Sequence, residues 1–573
     1  MLKFLLGILA GLVLAFLVAV IGVFALVRLG ERPPVVGPRS VLVLDLEGDT
    51  PEQAPVSLSL PFLEEKTPLT ISEIWRVLRR AETDSRVKAV VLMPGSIGAG
   101  WAKLQELHSE LERLTKTGKP VVAYLRQPSS REYYLATAAG RIYMPPEDLL
   151  DLKGLRAELA FFRGTLDKIG VQVEITHAGK YKDFGDMFTR TSMTPETREV
   201  LNSVLDELYG DLIRTVAAGR KKTPEETRAL LDEGPFLSRQ ALEKGLVDQL
   251  LYEDQVFSEV AKQAGAESLT RVSPQAYLRE LLASETGGGR NRVALVVGEG
   301  SITRGSGTGF VQDSGIQSGS FVKLLRQVGQ DRSIRGAVIR INSPGGDSFA
   351  SDEIWREMNV LSKKKPLVVS MSDDAASGGY YIAMTGDPIV AYPSTFTGSI
   401  GVVFGKINLR GLYDKLGIAK ELMTRGKLAA LDSDYEPLSE AGRQKVREGV
   451  DDNYRSFVEK VASARKRKFA EMEPLAQGRV WMGSQAKERG LIDELGGLDR
   501  AFELVREKAG IPRTEKLSLV VYPPKRSLLD RLMTRSLESQ SPPWLRSFLA
   551  RWPVTVLRGG AFLRLMPYSI EVR

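Results

Sequence analysis

DSRVKAVVLMPGSIGAG, Asp84 to Gly100, and DRSIRGAVIRINSPGGD, Asp331 to Asp347, read as one segment written twice. Each opens on a polar turn, runs through an apolar strand and ends in a turn that carries glycine, the start of a strand–turn–helix unit. The pairing extends outward from there. EYYLATAAG from Glu132 answers GYYIAMTGD from Gly379, and HAGKYK from His177 answers TRGKLA from Thr424, each pair 247 residues apart like Asp84 and Asp331. Upstream, VLVLDL (Val41 to Leu46) is matched by VALVVGEG (Val293 to Gly300). Downstream the register slips by two residues, and Thr194-Pro195-Glu196 and Leu438-Ser439-Glu440 each predict a capped helix, running through Tyr209 and Tyr454. SRQALEKGLVDQL from Ser238 and SQAKERGLIDEL from Ser484 complete the match. Apolar strands alternating with amphipathic helices predict an α/β fold.

The 573 residues therefore divide into a junction and anchor over 1–38, a first unit over 39–283, a linker over 284–292, a second unit over 293–521 and a tail over 522–573. The tail lies outside the repeat. Its amphipathic runs SLLDRLM and PWLRSFLARW fit either packing on the body or a neighbouring subunit, or lying on a membrane surface, and packing is the favoured reading.

From Phe4 to Val27 the chain has 24 uncharged, mostly apolar residues between Lys3 and Arg28. As a helix this stretch is about 36 Å long, enough for a bilayer core of about 30 Å. It is longer than the apolar region of a cleaved signal, and Arg28-Leu29-Gly30 is a poor cleavage site, so a single signal anchor is expected. Lys3 on one side and Arg28 and Arg32 on the other leave the orientation open.

Composition limits the chemistry. With no cysteine, thiolate catalysis, disulfides and Fe–S clusters are excluded. Only His108 and His177 could serve a histidine triad or a histidine metal site. His108 falls on an amphipathic helix and His177 at the end of a strand, so neither role is expected, nor is a metal or cofactor. The net charge of +8 is spread among 71 acidic residues with no basic stripe, which argues against nucleic acid.

Where the two copies keep register but change chemistry, they point to a site. INSPGGD (Ile341 to Asp347) stands against PGSIGAG, pairing Gly345 and Gly346 with Gly98 and Ala99. A tight glycine turn between strand and helix is suited to aiming backbone N–H groups at developing negative charge. DDAASGGYYIA (Asp373 to Ala383) offers Ser377 followed by two glycines, whereas Ser130 of the first copy is followed by Arg131 and Glu132. Ser377 is therefore the better nucleophile. Conversely, Lys180 pairs with Lys427, but Lys182 pairs with Ala429. One copy keeps a lysine without a serviceable serine and the other keeps the serine without that lysine. A lysine amine acts as a base only when neutral, so its pKa must fall by about three units, or about 4 kcal/mol, through burial away from carboxylates.

These residues resemble signal peptide peptidase A in its long, duplicated form. The resemblance rests on NSPGG, AASGGYY, TGSIG (Thr397 to Gly401), the YKD lysine and GRVWMGSQAKERGLIDELGG (Gly478 to Gly497), and covers Val41 to Gly497. It implies two tandem ββα superhelix repeats of the caseinolytic protease and crotonase kind, with Ser377 as nucleophile and Lys182 as general base. It also implies an oxyanion hole from the amides of Gly346 and Gly378, and Ser399 beside the lysine. The same register in the first copy reads DLKG (Asp151 to Gly154) in place of GSIG. The resemblance further implies a bacterial homotetramer anchored in the cytoplasmic membrane with its body outside. Such an enzyme cuts spent signal peptides and other unstructured peptides, taking small or apolar side chains, without a cofactor. The competing functions are a crotonase-like acyl-CoA enzyme and a catalytically silent membrane scaffold. The reciprocal serine and lysine argue against both.

Overall fold

The computed structural model describes residues 36–54, 68–284, 289–305, 315–524 and 561–566, together with six helical residues between Gly7 and Gly22. Most of the Phe4–Val27 stretch, and both SLLDRLM and PWLRSFLARW, lie outside the described residues. Among the described residues no helix is long and apolar enough to cross a membrane.

The expected repetition is present strand for strand. In the first unit a parallel sheet runs in the order Gln249–Leu250, Arg141–Met144, Val121–Tyr124, Val87–Ile97, Ser40–Gly48, Thr270–Val272. The second unit repeats it with Glu494–Leu495, Ile389–Ala391, Leu367–Ala376, Ile334–Ser343, Arg292–Glu299 and Ser518–Tyr522. Helices cover these sheets, so their central strands are buried on both faces and read as near-continuous apolar runs. Packing details recur too. The Tyr133 hydroxyl donates to the Leu246 carbonyl at 2.7 Å, and that of Tyr380 to the Leu491 carbonyl at 2.7 Å.

Thr194 and Ser439 cap their helices as expected, accepting from the amides of Thr197 and Gly442. Both helices run farther than expected, over Pro195–Arg220 and Glu440–Ala464. The apolar stripe continues past each tyrosine, through Leu212, Ile213 and Val216 in one and Phe457, Val458 and Val461 in the other, and tertiary burial extends the helix.

The two units are joined by a third, mixed sheet that belongs to neither alone. Gln172–Ala178 of the first unit pairs antiparallel with Val402–Asn408 of the second. Val402–Asn408 in turn pairs with Ala561–Leu565 from the tail, which also pairs with Gly345–Asp347. The described part of the tail thus packs on the body.

Buried charge fixes the same seam. Arg340, 1% exposed, donates to Glu52 at 2.9 Å and Glu106 at 2.6 Å, and also bonds Ser370 and Ser372. Asp373 caps a helix of the opposite unit, accepting from the amides of Gly100 at 3.0 Å and Lys103 at 2.9 Å. Because the cap comes from one copy and the helix from the other, the two units cannot separate without exposing unpaired donors.

Candidate active site

Ser377 directly follows the strand Leu367–Ala376 and precedes the helix Gly378–Ile382. Its backbone has φ 54° and ψ −111°, a conformation that a non-glycine residue holds only at a cost of about 1–3 kcal/mol. The turn is held by its amide donating to the Gly398 carbonyl at 2.8 Å and its carbonyl accepting from the Tyr381 amide at 2.8 Å.

Lys182 comes from the other unit, four residues beyond the strand Gln172–Ala178. Pairing of that strand with Val402–Asn408 carries the lysine across the seam. Its Nζ lies 2.9 Å from Ser377 Oγ, 2.8 Å from Ser399 Oγ and 3.0 Å from the Ser399 carbonyl oxygen. Lys182, Ser377 and Ser399 are all 0% exposed. Ser399 also has positive φ, 50°, with its amide anchored on the Arg479 carbonyl at 2.7 Å.

Burial drives the Lys182 amine well below its ordinary range. The Asp183 carboxylate opposes this, and the Arg564 guanidinium adds to it. The expected absence of carboxylates is thus corrected: Asp183 is the lysine's chain neighbour. Burial pushes its own carboxyl up to about 6, and the Thr197 hydroxyl bonds it.

Gly346 and Gly378 lie against one another. A Cβ on Gly378 would stand 3.1 Å from the Gly346 amide nitrogen and 2.7 Å from Ser351 Oγ. A Cβ on Gly345 would meet the Gly378 nitrogen at 2.7 Å. The two turns are packed so closely that no side chain fits between them, and their amides border the same space beside Ser377.

Two further glycines shape the site. A Cβ on Gly478, at φ 74°, would stand 2.6 Å from Lys182 Cβ, and one on Gly401 would stand 3.0 Å from Lys182 Cδ. They make the slot through which the lysine stem passes. Gly401 ends TGSIG and Gly478 opens GRVWMG, but only the folded contact reveals their use.

The first copy has lost this geometry. Glu132, in the register of Gly379, is buried and accepts from the Ile97 amide at 2.8 Å, while the Gly98 amide donates to the Gly48 carbonyl at 2.7 Å. Two amides of the first copy's turn, those of Ile97 and Gly98, are therefore consumed internally. Lys180 is exposed beside Glu196, and Lys427 lies exposed in an irregular segment. His108 bonds the Thr137 hydroxyl at 3.0 Å and His177 the Gly179 carbonyl at 3.2 Å, away from the Ser377–Lys182 contact.

Comparison with known sequences decides the family. Peptidase family S49 matches residues 113–267 and 359–512, two segments that begin 246 residues apart and end 245 apart. The chain belongs to peptidase family S49. It carries that family's unit twice, in agreement with the repeat read from Asp84 and Asp331. Among its S49 relatives is the chloroplastic serine protease SPPA of Arabidopsis thaliana, 35% identical over 86% of this chain and 73% of the relative. Protease 4 of Salmonella typhi is 30% identical over 84% of this chain and 78% of its own. The putative signal peptide peptidase SppA of Enterococcus faecium is shorter in its match, 35% identical over 33% of this chain and 55% of its own.

Proposed function

We propose that this S49 protein is a serine endopeptidase that uses Ser377 as nucleophile and Lys182 as general base. The observation that carries the reading is the 2.9 Å separation of Lys182 Nζ and Ser377 Oγ, in a fully buried setting that favours the neutral amine. A neutral amine has two N–H donors and one lone pair. Donation to the carbonyl and hydroxyl oxygens of Ser399 leaves the lone pair for the Ser377 proton.

In the acylation step Ser377 Oγ attacks a peptide carbonyl carbon while Lys182 takes the hydroxyl proton. The amides of Gly346 and Gly378 receive the developing oxyanion. The ammonium then gives its proton to the leaving amine as the C–N bond breaks, and an ester on Ser377 remains. Water, deprotonated by the same amine, hydrolyses that ester. Every step uses groups of this chain, with no metal and no cofactor called upon.

The names of the relatives and the Phe4–Val27 stretch support spent signal peptides and other unstructured apolar peptides as substrates. In this reading the ββα superhelix body is held at the extracytoplasmic face of a membrane by a single-pass anchor and assembles as a homotetramer. Fluorophosphonate labelling followed by peptide mapping is the direct test. Label on Ser377, lost in Lys182→Met, is the expected result. Label on Ser130, or equal labelling in Lys182→Met, would overturn the assignment.

A further inference from the structure

The strand Ala561–Leu565 pairs antiparallel on both sides, with Gly345–Asp347 through Gly346–Arg564 and with Val402–Asn408 through Val403–Leu563. Just past it, the Met566 amide donates to the Pro344 carbonyl at 2.8 Å. One of its two partners is therefore the glycine turn that borders Ser377. An extended peptide adding to a strand edge makes the same main-chain bonds whatever its sequence, and its side chains fill pockets at alternate positions.

The register shows which peptide bond lies at the nucleophile. A Cβ on Gly345 would stand 1.9 Å from the Arg564 carbonyl oxygen and 2.7 Å from the Gly378 amide nitrogen, so this carbonyl lies beside the amides proposed to hold an oxyanion. Arg564 is then on the acyl side and Leu565 on the leaving side.

The Arg564 side chain is 2% exposed and enters a built pocket. Its Nη1 donates to the Ser348 carbonyl at 2.9 Å, and Nη2 lies 3.5 Å from Asn453 Oδ1. The guanidinium sits 3.8 Å from the Tyr381 ring centroid and 5.3 Å from that of Phe457. Asp352 supplies negative charge nearby and is itself bonded by Lys460 at 2.8 Å and the Tyr381 hydroxyl at 2.5 Å. The Arg564 Nε, also buried, has no hydrogen-bond partner among the described residues. An occupant with one unpaired donor is held less tightly than the pocket allows.

Resting on the peptidase reading above, we infer that Ala561–Met566 occupies the cleft in the manner of a substrate, closing it. The pocket around Arg564 then selects peptides with a basic residue on the acyl side of the cut bond. The family resemblance implies small or apolar side chains there, whereas carbonyl, carboxamide and aromatic faces suit a guanidinium. The occupant reads Phe-Leu-Arg-Leu-Met, a basic residue set among apolar ones. Signal peptides carry the same chemistry where their basic n-region meets the apolar h-region.

The test uses the full chain with two internally quenched peptides, built on Phe-Leu-Arg-Leu-Met and Phe-Leu-Ala-Leu-Met. Leu563→Pro breaks the ladder, and Arg564→Ala empties the pocket with a smaller perturbation. Each is expected to raise kcat/KM on the arginine peptide about tenfold or more, as when the open fraction rises from a tenth to near unity. The arginine peptide should be preferred over the alanine one by about tenfold to a hundredfold. Asp352→Asn should reduce that ratio. Unchanged rates in both release variants, with Ser377 still labelled by fluorophosphonate, would overturn the inference and leave the peptidase reading intact. Equal turnover of the two peptides would overturn the basic preference. No label on Ser377 in any variant would remove the peptidase reading itself, and the inference with it.

Discussion

Lys182 and Ser377 are 195 residues apart in the chain, on different copies of one folding unit, yet Nζ and Oγ stand 2.9 Å from each other. The antiparallel pairing of Gln172–Ala178 with Val402–Asn408 brings the lysine over, and the turn after Leu367–Ala376 presents the serine. A site divided in this way depends on the seam staying closed, and each copy is free to lose the half it does not supply.

In the proposed role Lys182 takes a proton only when neutral, so activity should climb with pH and level off once the amine has lost its proton. Because burial lowers the Lys182 pKa, the midpoint of kcat/KM should lie well below 10.5. The Asp183 carboxylate raises that pKa, so Asp183→Asn should move the midpoint to lower pH. A pH–rate profile of the two proteins checks both statements. A midpoint unchanged by Asp183→Asn would mean that the titrating group is not Lys182.

Ser130 keeps the serine's register but not its surroundings. Glu132, in the register of Gly379, is turned into that site and takes up the Ile97 amide. Ser130→Ala should leave peptide turnover within about twofold, whereas Ser377→Ala should lower it by a factor of about 10³ or more. Side-by-side kinetics on one apolar peptide suffice.

Repetition was legible because a duplicated core repeats its apolar strands and capped helices, and the candidate site because the copies keep register there while changing chemistry. Ser377 and Lys182 could be named from register alone. The use of Gly401 and Gly478 could not, since the lysine stem that needs their bare Cα atoms comes from the other half of the chain. Glu132 was legible as an obstruction beside Ser130, but not as a carboxylate turned inward to satisfy an amide. The strand Ala561–Leu565 left no signal in the tail, because its partners are a glycine turn and a strand far off in sequence.

The buried charge cluster at the seam should matter in proportion to what is left unpaired. Arg340 holds two carboxylates, and in its absence the buried Glu52 and Glu106 are left without their shared cation. Arg340→Ala should cost about 3–5 kcal/mol in stability, measurable by denaturant titration. Replacing Arg340 with Met and both glutamates with Gln should recover much of that loss. A triple variant no more stable than Arg340→Ala would contradict the assignment of the cost to stranded charge.

The proposed catalytic use of the buried lysine also has a stability signature. The unfolded chain holds this proton up to about pH 10.4, and the folded chain gives it up earlier, because burial lowers the pKa. Between those two pKa values the unfolded state binds more protons, so folding grows more favourable as pH rises. Below the folded pKa the penalty is present in full; above about 10.4 it has vanished. Lys182→Met removes the titrating group while roughly keeping the volume, and should abolish activity. Its Tm relative to the parent should therefore be highest in acid and decline steadily as pH approaches 10. A Tm difference independent of pH would show that Lys182 keeps an ordinary pKa in the folded chain, and the base assignment would fail with it.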